Sequence, residues 1–244
     1  RICSEADIRE RLRTVHSFVR PILPEFVVRR RSDRRSDLIV TYVDGEGKSG
    51  QYYASRYAEE NGVSQRSIVS PRDFSTNLAA YVERYGDISA IVVVDDIVAT
   101  GNSLARNMRG FLGEHQPLLR KLDVPIIALA LAATAEGEDR VISEIKKIEW
   151  ADFNLRICDP LSERDFAFGN NAIWVDQEER ERAQALCTDL GANIYPDNPL
   201  GYGGHGLLVV FPHTCPNNSL PILHSSARAG AKHKWFPLFP RLVN

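Results

Sequence analysis

Two adjacent carboxylates, Asp95 and Asp96, directly follow four apolar and mostly β-branched residues at 91–94. Such an apolar run is typical of a buried strand in a parallel sheet, and we expect the two acids at its tip. Three residues further on, the chain reads Thr100-Gly101-Asn102-Ser103 and enters a helical pattern at 104–112. In open α/β sheets, ligands bind beyond the carboxyl ends of the strands. The segment therefore predicts a binding site between a strand and a helix.

The turn after the acids carries the groups that a phosphate needs. A helix N-terminus offers backbone N–H groups and the positive end of the helix dipole. Gly101 lets the backbone approach an anion closely, and the hydroxyls of Thr100 and Ser103 can donate hydrogen bonds. The acids can accept hydrogen bonds from a vicinal diol, and a diol beside a phosphate describes a ribose 5-phosphate. The predicted phosphate-binding residues are Val98, Ala99, Thr100, Gly101, Asn102 and Ser103.

These residues resemble the PRPP loop of the type I phosphoribosyltransferases, which use 5-phosphoribosyl 1-pyrophosphate (PRPP). In that loop, an apolar strand leads into two acidic residues, three variable residues, Thr-Gly and a Ser or Thr. The resemblance implies a protein that binds PRPP or a ribose 5-phosphate ligand with Mg²⁺ and transfers or cleaves the ribosyl group. It implies a catalytic role for Asp95 and Asp96, which would stabilise positive charge on the ribose. It also implies that substrate and water hold most of the Mg²⁺ shell, with these two acids as the candidate protein ligands.

Two features set limits on this resemblance. Ala99 stands where purine-salvage members often carry an aspartate, which puts a purine acceptor in doubt. An apolar strand that ends on two acids also describes a Walker B strand, the Mg²⁺-holding part of an NTPase. The matching Walker A motif would need a glycine at position 42, ahead of Gly47, and that position is Tyr42. We therefore rank an NTPase below a transferase.

A second glycine-bearing loop, at 44–50, follows a predicted core strand at 37–43 and precedes a predicted helix at 51–60. Strand, glycine loop and helix together form an anion site in principle. In the type I family, a loop in this place holds the pyrophosphate of PRPP, and a basic residue of the next loop also contacts it. The residues that the resemblance assigns to pyrophosphate are Gly47, Lys48, Ser49, Gly50 and Arg72. A plain surface position for Arg72 is an equally good interpretation.

Hydrophobic patterns arrange these loops on a sheet. Five apolar segments indicate strands, at 37–43, 67–71, 91–94, 124–132 and 153–157. Helical patterns precede, separate or follow them, at 1–20, 51–60, 74–85, 104–112, 138–148 and 177–190. We therefore expect an α/β fold with a doubly wound, mostly parallel sheet. The expected regions are an N-terminal helix and basic loop (1–36), a phosphoribosyltransferase-like core (37–160), and a C-terminal helix, strand and loop extension packing on the core (161–244).

The C-terminal region carries a polar, proline-fixed loop at 212–221 after a predicted strand at 207–211. Its His213, Asn217 and Asn218 can read a base or an acyl or amide acceptor through paired donors and acceptors. In the alternative interpretation, the loop is a capped turn whose asparagines bond their own backbone.

Residues 199–224, which include this loop, resemble the C-terminal signature of one phosphoribosyltransferase-like branch. Members of that branch occur in bacterial conflict and defence systems, including as companions of retron reverse transcriptases. The resemblance implies an alternative function: a non-catalytic, PRPP- or nucleotide-binding regulator or effector subunit of an anti-phage complex. Such a subunit would have a protein or ribonucleoprotein partner.

Composition narrows the setting of the protein. The chain has 244 residues and a formal net charge of −2, which gives no bulk attraction to nucleic acid or membranes. No apolar run reaches the roughly 18 residues of a membrane span, and the four cysteines are scattered, so we expect a reduced cytoplasmic protein, as a monomer or an oligomer. The basic run at 29–35 is either a solvated loop or a contact to nucleic acid or phosphate. The chain starts at Arg1 with neither a secretory signal nor a Met, so we expect that it starts inside a longer product or after trimming.

Overall fold

A computed structural model describes residues 1–26, 33–45, 48–170, 173–227 and 234–240 of the protein. The chain divides into two compact units, one of residues 1–7 and 161–244 and one of residues 8–160. Gly47 and part of the basic run, 29–32, lie outside the described residues. The helices are α1 (Glu5–His16), α2 (Gly50–Glu60), α3 (Phe74–Tyr85), α4 (Asn102–Glu114), α5 (Gln116–Leu122), α6 (Ala135–Ile145), α7 (Gln177–Ile194) and α8 (Pro221–His224). The strands are β1 (Leu38–Thr41), β2 (Ala90–Val98), β3 (Ile126–Ala133) and β4 (Phe153–Pro160).

The unit of residues 8–160 is built on a four-stranded sheet with the order β1-β2-β3-β4, and every neighbouring pair is parallel. The register places Leu38 opposite Ala90 and Ile126 opposite Phe153. Every residue of β3 is buried, as expected for a central strand of a parallel sheet that is covered on both faces. The predicted α/β fold with a parallel sheet is confirmed.

The predicted fifth strand at 67–71 is wrong. Residues Gln65–Ser67 form a 3-10 turn, and Ile68 makes one isolated parallel bridge to Val40 of β1. The 3-10 turn before it and Pro71 after it leave too short a segment for a regular ladder. The chain still passes along the outer side of β1 before it returns to β2 on the other side. The direction of winding therefore reverses between β1 and β2.

Helices pack on both faces of this sheet. Alternate side chains of β1 and β2, among them Ile39, Ile91 and Val93, join one core with α3, α4, α5 and α6. On the opposite face, α2 packs against β1 and β2, and its Tyr53 and Tyr57 are fully buried. In doubly wound sheets of this kind, the crevice for ligands lies at the carboxyl ends of the two strands where the winding reverses. These are β1 and β2.

The N-terminal helix, expected over residues 1–20, is shorter at both ends and spans Glu5–His16. The Asp7 N–H donates to the Ser4 hydroxyl at 3.2 Å, and the Ser4 N–H donates to the Asp7 carboxylate at 2.7 Å, so the two residues cap α1 reciprocally. All four cysteines of the chain are free thiols. Among the helices of the described residues, none combines the length and the apolar character that a membrane crossing requires.

In the unit of residues 1–7 and 161–244, two sequence predictions are wrong. The segment at 207–211 is not a strand and instead makes the isolated bridges Ile2–Val210, Phe166–Leu207 and Leu207–Ser219. α7 does not stop before Gly191 but continues to Ile194. A Cβ on Gly191 would lie 2.0 Å from the Pro199 carbonyl oxygen, so this glycine permits close packing rather than ending the helix.

Candidate functional site

The sequence predicted Asp95 and Asp96 at the tip of a strand, but both lie inside β2, which continues to Val98. β2 is longer than predicted because β3 pairs with it as far as Val98. On its other side, β1 ends at Thr41, opposite Val93. The acids therefore lie beyond the last residue of β1, where that edge of β2 loses its strand partner.

Hydrogen bonds hold the acid pair in place. The Asp95 carboxylate accepts from the Asp96 N–H at 2.9 Å, and the Asp96 carboxylate accepts from the Ile97 N–H at 2.8 Å. The Ser49 hydroxyl, a predicted pyrophosphate ligand, also donates a hydrogen bond to Asp96. Because Ser49 directly precedes α2, the structure brings the glycine-bearing loop and the acid pair together.

A third carboxylate, Asp44, joins the pair, and sequence reasoning missed it. Its Oδ2 accepts from the Gly50 N–H at 3.0 Å, whereas its Oδ1 is buried without a hydrogen-bond partner. A Cβ on Gly50 would lie 2.1 Å from that Oδ1, so the loop needs glycine there. The sequence did contain one signal for Asp44, which is its position at the start of the loop that follows the first core strand. A buried carboxylate oxygen without a partner is suited to a ligand group or a cation.

Burial raises the pKa of each of the three carboxylates, and the charge of Asp96 raises the pKa of the other two further. Burial raises the pKa of Asp95 well above its usual range, and the charges of Asp96 and Asp44 raise it further. Burial also raises the pKa of Asp96, although hydrogen bonds from the Ser49 hydroxyl and from the Ile97 N–H oppose the shift. Burial raises the pKa of Asp44 too, against the Gly50 hydrogen bond and with the charge of Asp96 adding to the rise. The cluster thus concentrates negative charge that hydroxyl donors or a cation would stabilise.

This cluster fits Mg²⁺ that a ligand helps to hold. Carboxylate oxygens are the protein ligands that Mg²⁺ prefers, and the buried Oδ1 of Asp44 lacks a hydrogen-bond partner. Within the ranges that the structure describes, no three His, Cys, Asp or Glu side chains are arranged to hold a metal by themselves. The residues therefore suit an ion whose shell is completed by substrate oxygens and water, as is usual for Mg²⁺.

The second part of the site is the turn between β2 and α4. Gly101 is the N-cap of α4 and has a φ of 72°, a left-handed conformation that favours glycine. Thr100 is buried, and its hydroxyl accepts from the Asn102 N–H at a long 3.4 Å. Ser103 is exposed in the first turn of the helix, and Val98 and Ala99 are buried. The first N–H groups of a helix lack partners within the helix, so this turn can hold an anion.

The end of β3 and the start of α6 support this turn. Thr134 caps α6, since its hydroxyl accepts from the Gly137 N–H at 3.0 Å and donates to the Ala99 carbonyl at 2.6 Å. A Cβ on Gly137 would lie 2.4 Å from the Ala99 oxygen, so the close approach requires glycine. The cap also places the start of α6 at Ala135, ahead of the predicted 138. Sequence reasoning missed both residues because their contact with the turn is long-range. A threonine at a strand-to-helix junction was the local signal.

Two more of the predicted pyrophosphate residues, Lys48 and Arg72, follow β1 and the segment that runs along it. Lys48 is exposed, and its positive charge slightly opposes the raised pKa of Asp44. Arg72 is exposed and follows the segment that runs along β1. Its N–H donates to the Ser70 hydroxyl at 3.2 Å. A pyrophosphate role for Lys48 and Arg72 stays a prediction.

The predicted acceptor residues belong to the other unit of the chain. His213 Nε2 lies 2.5 Å from a Glu5 carboxylate oxygen. Asn218 is buried, and its side-chain amide donates to the Tyr202 carbonyl at 2.9 Å. The Asn217 carbonyl accepts from the Tyr202 N–H at 2.8 Å. These contacts fix the loop, and an acceptor role for the three residues stays a prediction.

The charge cluster predicts how stability depends on pH. Folding raises the pKa of Asp95 above its ordinary 3.8, so the stability that its protonated form provides at acid pH is lost as pH rises through the raised value. We expect Asp95→Asn, which removes this charge, to be more stable than the wild type at pH 8 and to differ less at pH 5. The gain should be a few degrees, since about 1 kcal/mol moves the Tm of a chain of this size by about 2–4 °C. Calorimetric scans at both pH values measure it, and a variant that melts below the wild type at pH 8 would contradict the repulsion.

The chain is similar to one protein family and to several solved structures. A sequence model of the PRTase-CE family matches residues 1–241. No curated protein matches the sequence. Three solved structures with some similarity are as follows. The AQ2163 protein from Aquifex aeolicus has 14% identity and a TM-score of 0.35 over 66% of this chain and 78% of that chain. The orotate phosphoribosyltransferase from Aeropyrum pernix has 19% identity and a TM-score of 0.33 over 65% and 73%. The xanthine-guanine-hypoxanthine phosphoribosyltransferase from Helicobacter pylori has 15% identity and a TM-score of 0.33 over 67% and 90%.

Proposed function

The chain belongs to the PRTase-CE family, and we propose that the crevice at the carboxyl ends of β1 and β2 binds PRPP, or a ribose 5-phosphate ligand, together with Mg²⁺. One observation carries the proposal. Asp44, Asp95 and Asp96 interact with one another, Ser49 bonds to Asp96, and the N-terminus of α4 follows β2 directly in the chain. Acceptors for a diol and donors for a phosphate are thus next to each other.

The ribose would bind to the acid pair, and its 5-phosphate would bind to the turn before α4. Asp95 and Asp96 accept hydrogen bonds from the ribose 2- and 3-hydroxyls, which replace the mutual repulsion of the acids with charge-assisted contacts. The backbone at residues 98–103 takes the 5-phosphate at the positive end of the helix dipole. Because these contacts lie away from C1, their binding energy fixes the geometry at the reacting carbon.

The glycine-bearing loop would take the pyrophosphate. Lys48, Ser49 and the backbone up to Gly50 stand beside Asp44 at the end of β1. Mg²⁺, when bound, neutralises charge on the pyrophosphate and favours its departure. The oxygens of Asp44, Asp95 and Asp96 are the ones in the chain that would help to hold the ion, with PRPP and water supplying the remaining ligands.

The reaction that this arrangement supports is pentosyl transfer. The bond between C1 and the pyrophosphate oxygen breaks, its electron pair leaves with pyrophosphate, and a nucleophile forms a new bond to C1. With water as the nucleophile, the products are ribose 5-phosphate, pyrophosphate and a proton. Positive charge grows on the ribose ring in the transition state, and the carboxylates of Asp95 and Asp96 stabilise it electrostatically.

Isothermal calorimetry tests the binding proposal. We expect PRPP with Mg²⁺ to bind, ribose 5-phosphate to bind more weakly, and ATP with Mg²⁺ to bind elsewhere or not at all. Because burial and neighbouring charge raise the pKa of Asp95, binding should also release protons where the pH lies below that raised pKa. Titrations in two buffers of different ionisation enthalpy measure that release. Competition between ATP and PRPP, or ATP binding without any response to PRPP, would overturn the proposal in favour of an NTPase.

Phosphorus NMR separates transfer from binding alone. PRPP incubated with the protein and Mg²⁺ should give pyrophosphate, slowly with water and faster in the presence of the right acceptor. Binding by calorimetry without any conversion of PRPP, with or without a panel of nucleobases and amines, would instead support the alternative, a non-catalytic PRPP-binding regulator or effector subunit in a defence complex.

A further inference from the structure

A cavity of about 530 Å³ lies between α4 and α6, and its lining includes none of the three aspartates of the crevice. Three arginines, Arg106, Arg109 and Arg140, contribute to its lining, and Glu144 is the one acid among the lining residues. The side chains of the lining therefore sum to a charge of +2. On the α4 side, Gly110 leaves open space, because a Cβ there would meet no atom within 4 Å.

Two of the three arginines are available for a ligand. Glu144 is occupied by Arg109 at 3.0 Å and by Lys147 at 2.6 Å, so its charge is already balanced. Within the described ranges, the guanidinium groups of Arg106 and Arg140 have no ion-pair partner in the structure. Arginines without an acid beside a concave space are suited to a phosphate, which they bind through paired N–H donors.

The position of Arg140 sets where such a ligand would lie. Its Cβ is 2.9 Å from the position that a Cβ on Gly101 would take, so the stem of Arg140 packs on the outside of the turn before α4. Asn102, the first residue of α4, lines the same cavity. The cavity therefore borders the phosphate-binding turn but opens between the two helices rather than at the end of β2.

We propose that this cleft between α4 and α6 binds the phosphate chain of a nucleoside di- or triphosphate. Its volume is within the range of pockets that take small molecules of this size. Two guanidinium groups without an ion-pair partner among the described residues match two neighbouring phosphates, and the open space beside Gly110 leaves room for the rest of the nucleotide. This site shares Asn102 with the turn before α4 but contains neither Asp95 nor Asp96.

The test uses the full chain and ADP labelled with a methylanthraniloyl group on its ribose. Fluorescence anisotropy should show binding to the wild type. The variant Arg106→Gln/Arg140→Gln keeps both stems and should lose affinity by about 100-fold, since each charge-assisted contact contributes about 10-fold or more. The matched control is Lys121→Gln/Lys146→Gln, which removes the same charge from exposed residues outside the cavity lining. It should change affinity by less than about twofold.

Two further arms make the result decisive. Asp95→Asn/Asp96→Asn should leave binding of the labelled ADP unchanged, because the cleft does not contain the acids. Loss of ADP binding in that variant would move the nucleotide to the crevice and overturn the proposal. The same anisotropy measurement with a labelled single-stranded RNA should give no tighter binding than ADP. RNA binding that is tighter and is lost in the arginine variant would identify a nucleic-acid surface instead and likewise overturn it, as would no binding of ADP to the wild type.

Discussion

The double variant Asp95→Asn/Asp96→Asn is expected to lose affinity for PRPP with Mg²⁺ by at least about 100-fold, because hydrogen bonds to charged groups each contribute about 1.5–3 kcal/mol. Both side chains keep their shape, so the loss reflects charge rather than cavity formation. Removing two carboxylates that repel each other should not destabilise the fold, and the thermal midpoint should stay at or above that of the wild type. Calorimetric titration measures the affinity, and a thermal scan on the same sample checks the fold.

The control for this prediction is a second pair of aspartates in the same unit. Asp87 and Asp139 are exposed, and Asp87→Asn/Asp139→Asn removes the same net charge away from the crevice. Its PRPP affinity should stay within about twofold of the wild type, because exposed charges at a distance are screened. If the two double variants bind PRPP equally well, the acid pair does not hold the ribose.

Gly101→Ala is expected to lower the free energy of unfolding by about 2–5 kcal/mol, from the left-handed conformation and from overpacking. The φ of Gly101 is 72°, and a Cβ there would lie 2.4 Å from the Gly137 carbonyl oxygen and 2.9 Å from the Arg140 Cβ. The turn would have to shift away from α6, which moves the backbone N–H groups that take the phosphate. Urea unfolding measures the stability, and PRPP affinity should fall together with it.

α4 itself offers the matched control, Gly113→Ala. A Cβ on Gly113 would meet no atom within 4 Å, and its φ is not in the left-handed region. Alanine is the better helix former, so this variant should gain about 0.5–1 kcal/mol of stability. Equal effects of the two glycine substitutions would show that the turn before α4 tolerates a side chain and that its geometry is not set by α6.

Much of the sheet could be predicted from local pattern. The apolar runs that became β1, β2 and β3 are continuous, which distinguishes buried parallel strands from amphipathic ones, and those of β1 and β2 are also rich in β-branched residues. The length of β2 could not be predicted, because Asp95 and Asp96 are poor strand formers and are held in the strand by pairing with β3. The segment around Ile68 is the opposite case, because local pattern predicted a strand that does not form. Its residues favour a strand, yet the 3-10 turn before it limits it to one bridge.

The candidate site also has one part that local sequence predicts and one part that it does not. Asp95, Asp96 and the turn at 98–103 are contiguous in sequence, so their spacing alone predicted the chemistry. Asp44, which follows β1, interacts electrostatically with Asp96 of β2. Thr134, which follows β3, donates a hydrogen bond to the Ala99 carbonyl of the turn. No local pattern indicates such contacts, since they depend on which strands become neighbours and where each one ends.

The most direct measurement of the central claim is a crystal structure of the protein with PRPP and Mg²⁺. We expect density for the ribose with its 2- and 3-hydroxyls within hydrogen-bond distance of Asp95 and Asp96. The 5-phosphate should lie against the backbone of residues 98–103, and the pyrophosphate against the loop that ends at Gly50. Density for PRPP between α4 and α6, or at any other place that leaves Asp95 and Asp96 without a ligand, would contradict the account.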